Sequence, residues 1–346
     1  MLSFVKNIIR KRIILNRSSF DKNIIPRKKI INNNDLKYFI KNFGNKNKNK
    51  IFYVIQRING GGMFSNLNFV IHHLKISEEL GCIPIIDMEN FPTKYNEKII
   101  VDNQLNAWDY YFKPINKHKL ADVYKSKFVI ISDNKTNSQK EFDAFKNLGQ
   151  KHYNIYKKKI KFKSYIIDKV NLFLEKNFKN QKVLGVHFRG TDMKTQERHP
   201  FPATTYQIIN LINYEIKKNN YSKIFLVTEE SKYLKILKKI YKDKLCYANS
   251  FRTNKNNIFE QNSRKNHRFK IGEENIIDML ILSKTNKIIC TNSHLPDASK
   301  FINKKIKLIE INNGNNSSNI FIAQFLWYVK KIIPEFLGGF SKLTKI

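Results

Sequence analysis

Residues 183–197 read VLGVHFRGTDMKTQE, and this stretch decides both the predicted fold and the predicted functional loop. Its first six residues, VLGVHF, form a short apolar run that is typical of a buried strand. A histidine, an arginine, an aspartate, a lysine and a glutamate all lie in the eleven residues from His187 to Glu197. Ligands of open α/β sheets bind beyond the carboxyl ends of the strands, so these side chains are expected to face a ligand.

Arg189 is the strongest candidate in this loop. Its guanidinium is planar and permanently charged, and it matches the oxygens of a phosphate. Glu197, a few residues later, is placed to accept a proton. Two alternatives stay open: Arg189 forms an internal ion pair with Asp192, and Glu197 is a surface carboxylate that pairs with Arg198.

The rest of the chain alternates strands with helices. Strands are predicted at residues 51–56, 82–87, 128–132, 183–188, 223–228, 245–248, 287–291 and 307–311. Helices are predicted at residues 64–80, 138–148, 163–178, 206–217, 231–240, 273–282, 297–302 and within 320–340. The polar segment 249–270 is predicted to be a long loop. Few hairpin signals occur, and the alternation therefore indicates parallel, doubly wound sheets.

This pattern predicts an α/β protein of the GT-B type, with two Rossmann-type domains whose parallel sheets face a central cleft. A chain of 346 residues is long enough for two such domains. The expected parts are a basic N-terminal extension (residues 1–50), an N-terminal α/β domain on the acceptor side (51–180), a C-terminal nucleotide-sugar-binding domain (181–312), and a tail (313–346) whose closing helix packs across both domains.

A glycine loop, Asn59-Gly60-Gly61-Gly62, lies between the first predicted strand of this N-terminal domain and its helix. Glycines at this position allow backbone amides to approach an anion, which the helix N-terminus also favours. No DxD-like metal clamp follows a strand, so we expect neither a metal nor another cofactor. Arg189, Lys194 and backbone amides would then neutralise the diphosphate of a nucleotide sugar.

The formal net charge of +36 comes from 64 Lys and Arg residues against 28 Asp and Glu residues. Basic residues are spread along the whole chain and are not gathered into one block with aromatic residues, so we expect no specific nucleic-acid partner. Anionic partners of other kinds, including lipid head groups, stay open. The alternative function is thus a non-catalytic protein that binds polyanions or a membrane surface.

The cysteines and the apolar runs indicate the compartment. Cys82, Cys246 and Cys290 are odd in number and widely spaced, so they are expected to be buried free thiols in a reducing environment. No run of eighteen apolar residues predicts a spanning helix, and the N-terminal LSFVKNIIRKRIIL is too interrupted for a signal peptide. The expected location is the cytoplasm, with peripheral contact to an anionic membrane left open.

Several motifs together resemble the α1,6-fucosyltransferase family, which includes rhizobial chitin-oligosaccharide enzymes and eukaryotic N-glycan core enzymes. The family's HxRxTD strand end with a following glutamate stands here as GVHFRGTDMKTQE, followed by His199 and Pro200. Similar to other family segments are NAWDYYFKPI (106–115), KIFLVTEESKYLKILKKIY (223–241) and DMLILSKTNKIICTNS (278–293). The resemblance covers residues 50–305.

The resemblance implies a GDP-fucose donor and an oligosaccharide acceptor. His187 and Asp278 would contact the guanine, and Arg189 would hold the β-phosphate together with Ser293. The resemblance places further donor contacts at Lys194, Thr291, Gly61 and Gly62.

The resemblance also implies the chemistry. Glu197 would be the general base that deprotonates the acceptor hydroxyl as it attacks with inversion, and Asp192 would orient Arg189 or the loop. Two positions depart from the family: Met193 stands where a lysine usually follows the aspartate, and Gly190 replaces a second arginine. A GT-B transferase that uses a different nucleotide sugar is a further alternative.

Overall fold

A computed structural model describes residues 19–20, 40–132, 145–255, 257–261 and 263–341. The chain divides into two compact units, one formed by Met1–Lys163 with Asn266–Gly272 and the other by Ser164–Lys265 with Glu273–Ile346.

The first unit contains a five-stranded sheet in the order β1-β2-β5-β3-β4. Its elements are β1 (Ser19–Phe20), β2 (Ile40–Asn42), β3 (Lys46–Gln56), α1 (Met63–Glu79), β4 (Ile83–Asp87), α2 (Leu120–Val123), β5 (Ser126–Ile131) and α3 (Gln150–Lys159). Strand β3 pairs in parallel with β4 and β5, whereas β2 pairs antiparallel with β1 and β5. A core that includes Phe52, Val54 and Val129 packs on this sheet.

The second unit contains a five-stranded sheet in the order β10-β9-β6-β7-β8, and every pairing in it is parallel. Its elements are α4 (Ser164–Asn177), β6 (Val183–His187), α5 (Thr205–Asn219), β7 (Lys223–Val227), α6 (Ser231–Tyr241), β8 (Leu245–Cys246), α7 (His267–Leu282, whose first turns cluster with the first unit), β9 (Lys287–Thr291), α8 (His294–Ile302), β10 (Lys307–Ile311) and α9 (Ile320–Ile332). The chain runs outward from β6 to β7 and β8, and then returns to β9 on the other side of β6. The carboxyl ends of the neighbouring strands β6 and β9 therefore form the topological switch point of a Rossmann-type sheet.

Local sequence explains how these elements start and how closely they pack. Helix α5 begins with a capping box, in which the Thr204 hydroxyl and the Gln207 side chain satisfy each other's backbone amides. Gly185 lies in the middle of β6, where a Cβ atom would stand 2.7 Å from both Leu282 and Thr285. The glycine therefore lets the end of α7 lie directly against the central strand.

The α/β fold class with parallel sheets is confirmed, with one addition: the first sheet carries an antiparallel edge. Strand β2 was not predicted, because the Lys- and Asn-rich residues around it hide any apolar alternation. Helix α3 was also missed, and α7 begins at His267, inside the segment that was predicted as a loop. The helix predicted at 138–148 lies largely outside the described residues, and within it Phe145–Asn147 form a single 3₁₀ turn.

Candidate functional site

The exits of β6 and β9 bring two of the predicted residues together. Arg189 follows β6 and Ser293 follows β9, and these strands are direct neighbours in the sheet. The Nη1 atom of Arg189 donates a hydrogen bond to the Ser293 hydroxyl at 3.3 Å. Ser293 is also the residue before the first turn of α8. A guanidinium, a hydroxyl and a helix N-terminus thus converge at the switch point, where a phosphate would find several donors.

Two carboxylates from the neighbouring strand exit fix the loop that carries Arg189. Glu229 accepts a hydrogen bond from the Gly190 amide at 2.9 Å, and Glu230 accepts one from the Thr191 amide at 3.1 Å. Thr191 has a φ of 42°, a left-handed conformation that costs free energy unless its surroundings hold it. The two carboxylates supply that restraint. Glu229 and Glu230 directly precede helix α6 in the sequence, and only the pairing of β6 with β7 reveals their role.

Lys194 is buried, and its observed partners are protein groups. Its Nζ atom lies 2.6 Å from Glu230 Oε2, and the side chain is only 10% exposed. The same atom lies 4.8 Å from the ring centroid of Tyr233 and 5.1 Å from that of Trp327. A buried ammonium needs such a partner, because desolvation would otherwise make it very costly. The predicted contact of Lys194 with a donor stays untested, and the geometry shows a structural ion pair.

Asp192 and Glu197 occupy different environments. The Asp192 carboxylate accepts a hydrogen bond from the Thr191 hydroxyl at 3.2 Å, and its backbone carbonyl accepts from the Thr195 amide at 3.0 Å. It therefore supports the turn, and in the described part of the chain no ion pair within 4.0 Å joins it to Arg189. Glu197 is exposed, and no such pair joins it to Arg198 either.

The charges of this loop influence the pKa of His199. Burial lowers the pKa of its ring first, and the positive charge of Arg189 lowers it further. The carboxylates of Asp192 and Glu197 act in the opposite direction. All three charged residues are thus within electrostatic reach of one half-buried imidazole, to which the sequence assigned no role.

His187 and Asp278 each present a buried polar atom with no hydrogen-bond partner among the described residues. For His187 this atom is Nδ1, and burial followed by the charge of Arg189 lowers the pKa of the ring to about 3. For Asp278 it is Oδ1, while Oδ2 accepts a hydrogen bond from the Ser250 hydroxyl at 3.0 Å. Burial raises the pKa of the Asp278 carboxyl to about 7, against the opposing effect of Arg252. Buried polar atoms without a partner suit hydrogen-bonding groups of a ligand.

The remaining predicted donor residues lie at two places. Thr291 is buried at the end of β9, in the second unit. Gly61 and Gly62 lie in the first unit, between β3 and α1, and Gly62 directly precedes the first turn of α1. A Cβ atom at Gly62 would meet nothing within 4 Å, whereas one at Gly61 would lie 3.2 Å from the Ser65 hydroxyl. Their contact with a donor stays a prediction.

Two kinds of feature are absent from the described residues. There, no three His, Cys, Asp or Glu side chains gather as a potential metal site, and whether the chain needs a metal stays untested. In the same part of the chain, no helix combines the length and apolar character needed to cross a bilayer.

The two sheets together define a GT-B-type fold, that of fucosyltransferases of known structure. A crystal structure of NodZ alpha-1,6-fucosyltransferase co-crystallized with GDP matches with a TM-score of 0.51 and 16% identity, over 77% of this chain and 96% of that chain. Fucosyltransferase NodZ from Bradyrhizobium gives a TM-score of 0.47 and 15% identity, over 73% and 93% of the two chains. POFUT1 in complex with GDP gives 0.43 and 8%, over 75% and 99%. No protein-family profile and no curated protein sequence matches the chain.

Proposed function

We propose that this protein is a glycosyltransferase that moves L-fucose from GDP-fucose to a hydroxyl of a glycan acceptor, with inversion and without a metal ion. The observation that carries the proposal is the half-buried guanidinium of Arg189 at the switch point, hydrogen-bonded to Ser293. The fold shared with a GDP-bound fucosyltransferase supports a nucleotide-sugar donor at this place. The α1,6 linkage rests on the motif resemblance.

In this proposal, Arg189 stabilises the charge that develops on the departing diphosphate. Donors that are already in place when charge develops contribute more than donors that must reorganise. Ser293 accepts from Arg189 and can still donate its own hydroxyl hydrogen to a phosphate oxygen. The first amides of α8 add positive potential on the same side.

The base of the nucleotide would be held by His187 and Asp278. The neutral imidazole and the carboxylate each have one unpaired buried acceptor atom, and guanine offers several N–H donors. Binding of guanine would satisfy acceptors that are costly to leave alone. A nucleotide without those donors would gain less.

Glu197 would act as the general base. It is exposed, as expected for a group that must meet an acceptor sugar from solvent. Lys194 has a supporting role in this mechanism, because its ammonium and the Thr191 amide share the Glu230 carboxylate.

The test is GDP binding by the full chain, measured by calorimetry, with wild type, Arg189→Ala and the control Arg198→Ala. Arg198 is an exposed guanidinium in the same loop, so the control removes the same charge without removing the switch-point group. We expect Arg189→Ala to weaken GDP binding by about tenfold to a hundredfold, since a hydrogen bond to a charged group contributes about 1.5–3 kcal/mol. Arg198→Ala should bind as wild type does.

Unchanged GDP affinity in Arg189→Ala would refute the proposal. Equal losses in both variants would instead indicate a general electrostatic attraction of polyanions to a chain with a net charge of +36. Repeating the titration with UDP and with GDP-fucose tests the choice of base and sugar.

A further inference from the structure

Helix α9 carries apolar residues on two different sides. On one side, Ala323 and Trp327 are buried, and the Trp327 indole donates a hydrogen bond to the Pro202 carbonyl at 3.0 Å. Trp327 also packs in a small core with Phe201 and Phe340. This side attaches the helix to the second unit.

The other side is apolar and exposed. Phe321 is 78% exposed, Phe325 53% and Ile332 82%. These residues recur at spacings of four and seven, so they form one stripe along the helix. The members of this stripe are Phe321, Ile322, Phe325, Tyr328, Val329 and Ile332.

The stripe continues past the end of the helix. Pro334 follows α9, and the 3₁₀ turn Glu335–Leu337 places Phe336 at 85% exposure and Leu337 at 63%. A contiguous apolar surface of this kind is unusual on a soluble monomer and generally marks an interaction site. We call the stripe together with Phe336 and Leu337 the α9 face.

The positive net charge of the protein favours an anionic partner for the α9 face. A second copy of this chain would also carry a net charge of +36, and the two would repel each other. An anionic lipid surface attracts the same charge. Lys331 is exposed on α9 and flanks the stripe on the Trp327 side, with its ammonium 5.4 Å from the centroid of the Trp327 ring, so it adds positive charge at one edge of the stripe. An interfacial helix combines an apolar face with basic residues in this way and lies in the membrane plane.

We propose that the α9 face docks the protein onto the surface of a bilayer that contains anionic lipids. The aromatic and aliphatic side chains enter the boundary between head groups and acyl chains, while Lys331 and the surrounding positive charge contact the head groups. Docking is independent of whether the chain transfers fucose, since none of these residues belongs to the loop that follows β6.

The test is co-sedimentation of the full chain with vesicles of phosphatidylcholine alone or with phosphatidylserine. The variant Phe325→Ser/Ile332→Ser removes two members of the α9 face. The control is Leu172→Ser, which removes a side chain that is 66% exposed on α4. Circular dichroism melting shows whether each variant is folded.

We expect wild type and Leu172→Ser to sediment with the anionic vesicles, and the double variant to partition about tenfold less or worse, because two large apolar side chains no longer leave water. Equal sedimentation of the double variant and wild type would overturn the proposal, since the net charge alone would then explain binding. The proposal is also overturned if wild type does not sediment with the anionic vesicles. If wild type then elutes from a sizing column as a dimer that the double variant dissociates, the α9 face is instead a contact between two copies of the chain.

Discussion

The substitution Asp278→Asn tests two properties of the buried carboxyl separately: its effect on the stability of the fold and its proposed contact with guanine. In the folded protein the carboxyl is 4% exposed, its Oδ1 atom has no partner among the described residues, and its pKa is raised to about 7. In an unfolded chain an aspartate has a pKa of about 3.9. The folded state therefore holds a proton that the unfolded state releases.

The sign of the pH dependence follows from this difference. Below about pH 4 both states are protonated, and the carboxyl has no effect on the pH dependence. As pH rises from there to about 7, the unfolded state ionises while the folded state stays protonated, so the wild type loses stability. Two of the three pH units between pH 5 and pH 8 fall in that window. At about 1.4 kcal/mol per unit, the wild type loses about 3 kcal/mol relative to Asp278→Asn.

The difference in unfolding free energy between wild type and variant is measured at each pH, and the pH-independent cost of burying the new amide cancels when the two differences are subtracted. Urea unfolding at pH 5 and pH 8 is followed by the fluorescence of Trp327 in a Trp108→Phe background. Only two tryptophans occur in the chain, so the signal then comes from the unit that contains Asp278. Asp168→Asn, at an exposed position on α4, is the matched control.

We expect Asp278→Asn to gain about 3 kcal/mol on wild type between pH 5 and pH 8, and to bind GDP more weakly at pH 8, where the wild-type carboxyl is ionised. A difference that does not change with pH would show that the carboxyl is not held protonated, and the reasoning from burial would fail. Retained GDP affinity would separately remove Asp278 from the base-binding role.

Two further predictions concern the loop after β6. Glu197→Gln should keep GDP affinity and lose about a hundredfold or more in the rate of fucose transfer, because general-base catalysis contributes on that scale. The control Glu175→Gln changes an exposed carboxylate on α4 and should keep the wild-type rate. An unimpaired rate in Glu197→Gln would remove Glu197 from the role of general base. Gly190→Ala should lower the free energy of unfolding by about 1–3 kcal/mol, because the added Cβ would overlap the Glu230 carboxylate and lie 2.8 Å from the Tyr233 ring; wild-type stability in urea unfolding would show that this packing yields easily.

The meeting of Arg189 and Ser293 could be predicted from the sequence because it depends only on strand identity and direction. Both residues follow short apolar runs, and parallel strands end at the same edge of a sheet. The predicted bounds of β9 and β10 agree with the structure, and that of β6 differs by one residue at its end. Where the apolar run is clear, the local sequence is enough to predict the position of the strand.

The partners of Lys194 could not be predicted in the same way. They are Glu230 at the exit of β7 and Trp327, which lies more than a hundred residues after Lys194 in the chain. No spacing in the sequence brings these groups together, since their contact depends on which strand lies beside β6 and on where α9 packs. The start of α7 was missed for a related reason: its first turn, HRFK, carries too many basic residues to show an apolar stripe.

The two sides of α9 can be tested separately, and this separation links the candidate site to the proposed docking surface. Trp327, on the buried side, contacts the ammonium of Lys194, which shares the Glu230 carboxylate with the Thr191 amide. Substitutions on that side should therefore disturb the loop that carries Arg189. Substitutions on the exposed stripe leave those contacts in place, because residues three and four apart return to the same side of a helix. A loss of vesicle binding with unchanged GDP affinity is therefore the result that assigns the α9 face to the membrane rather than to the fold.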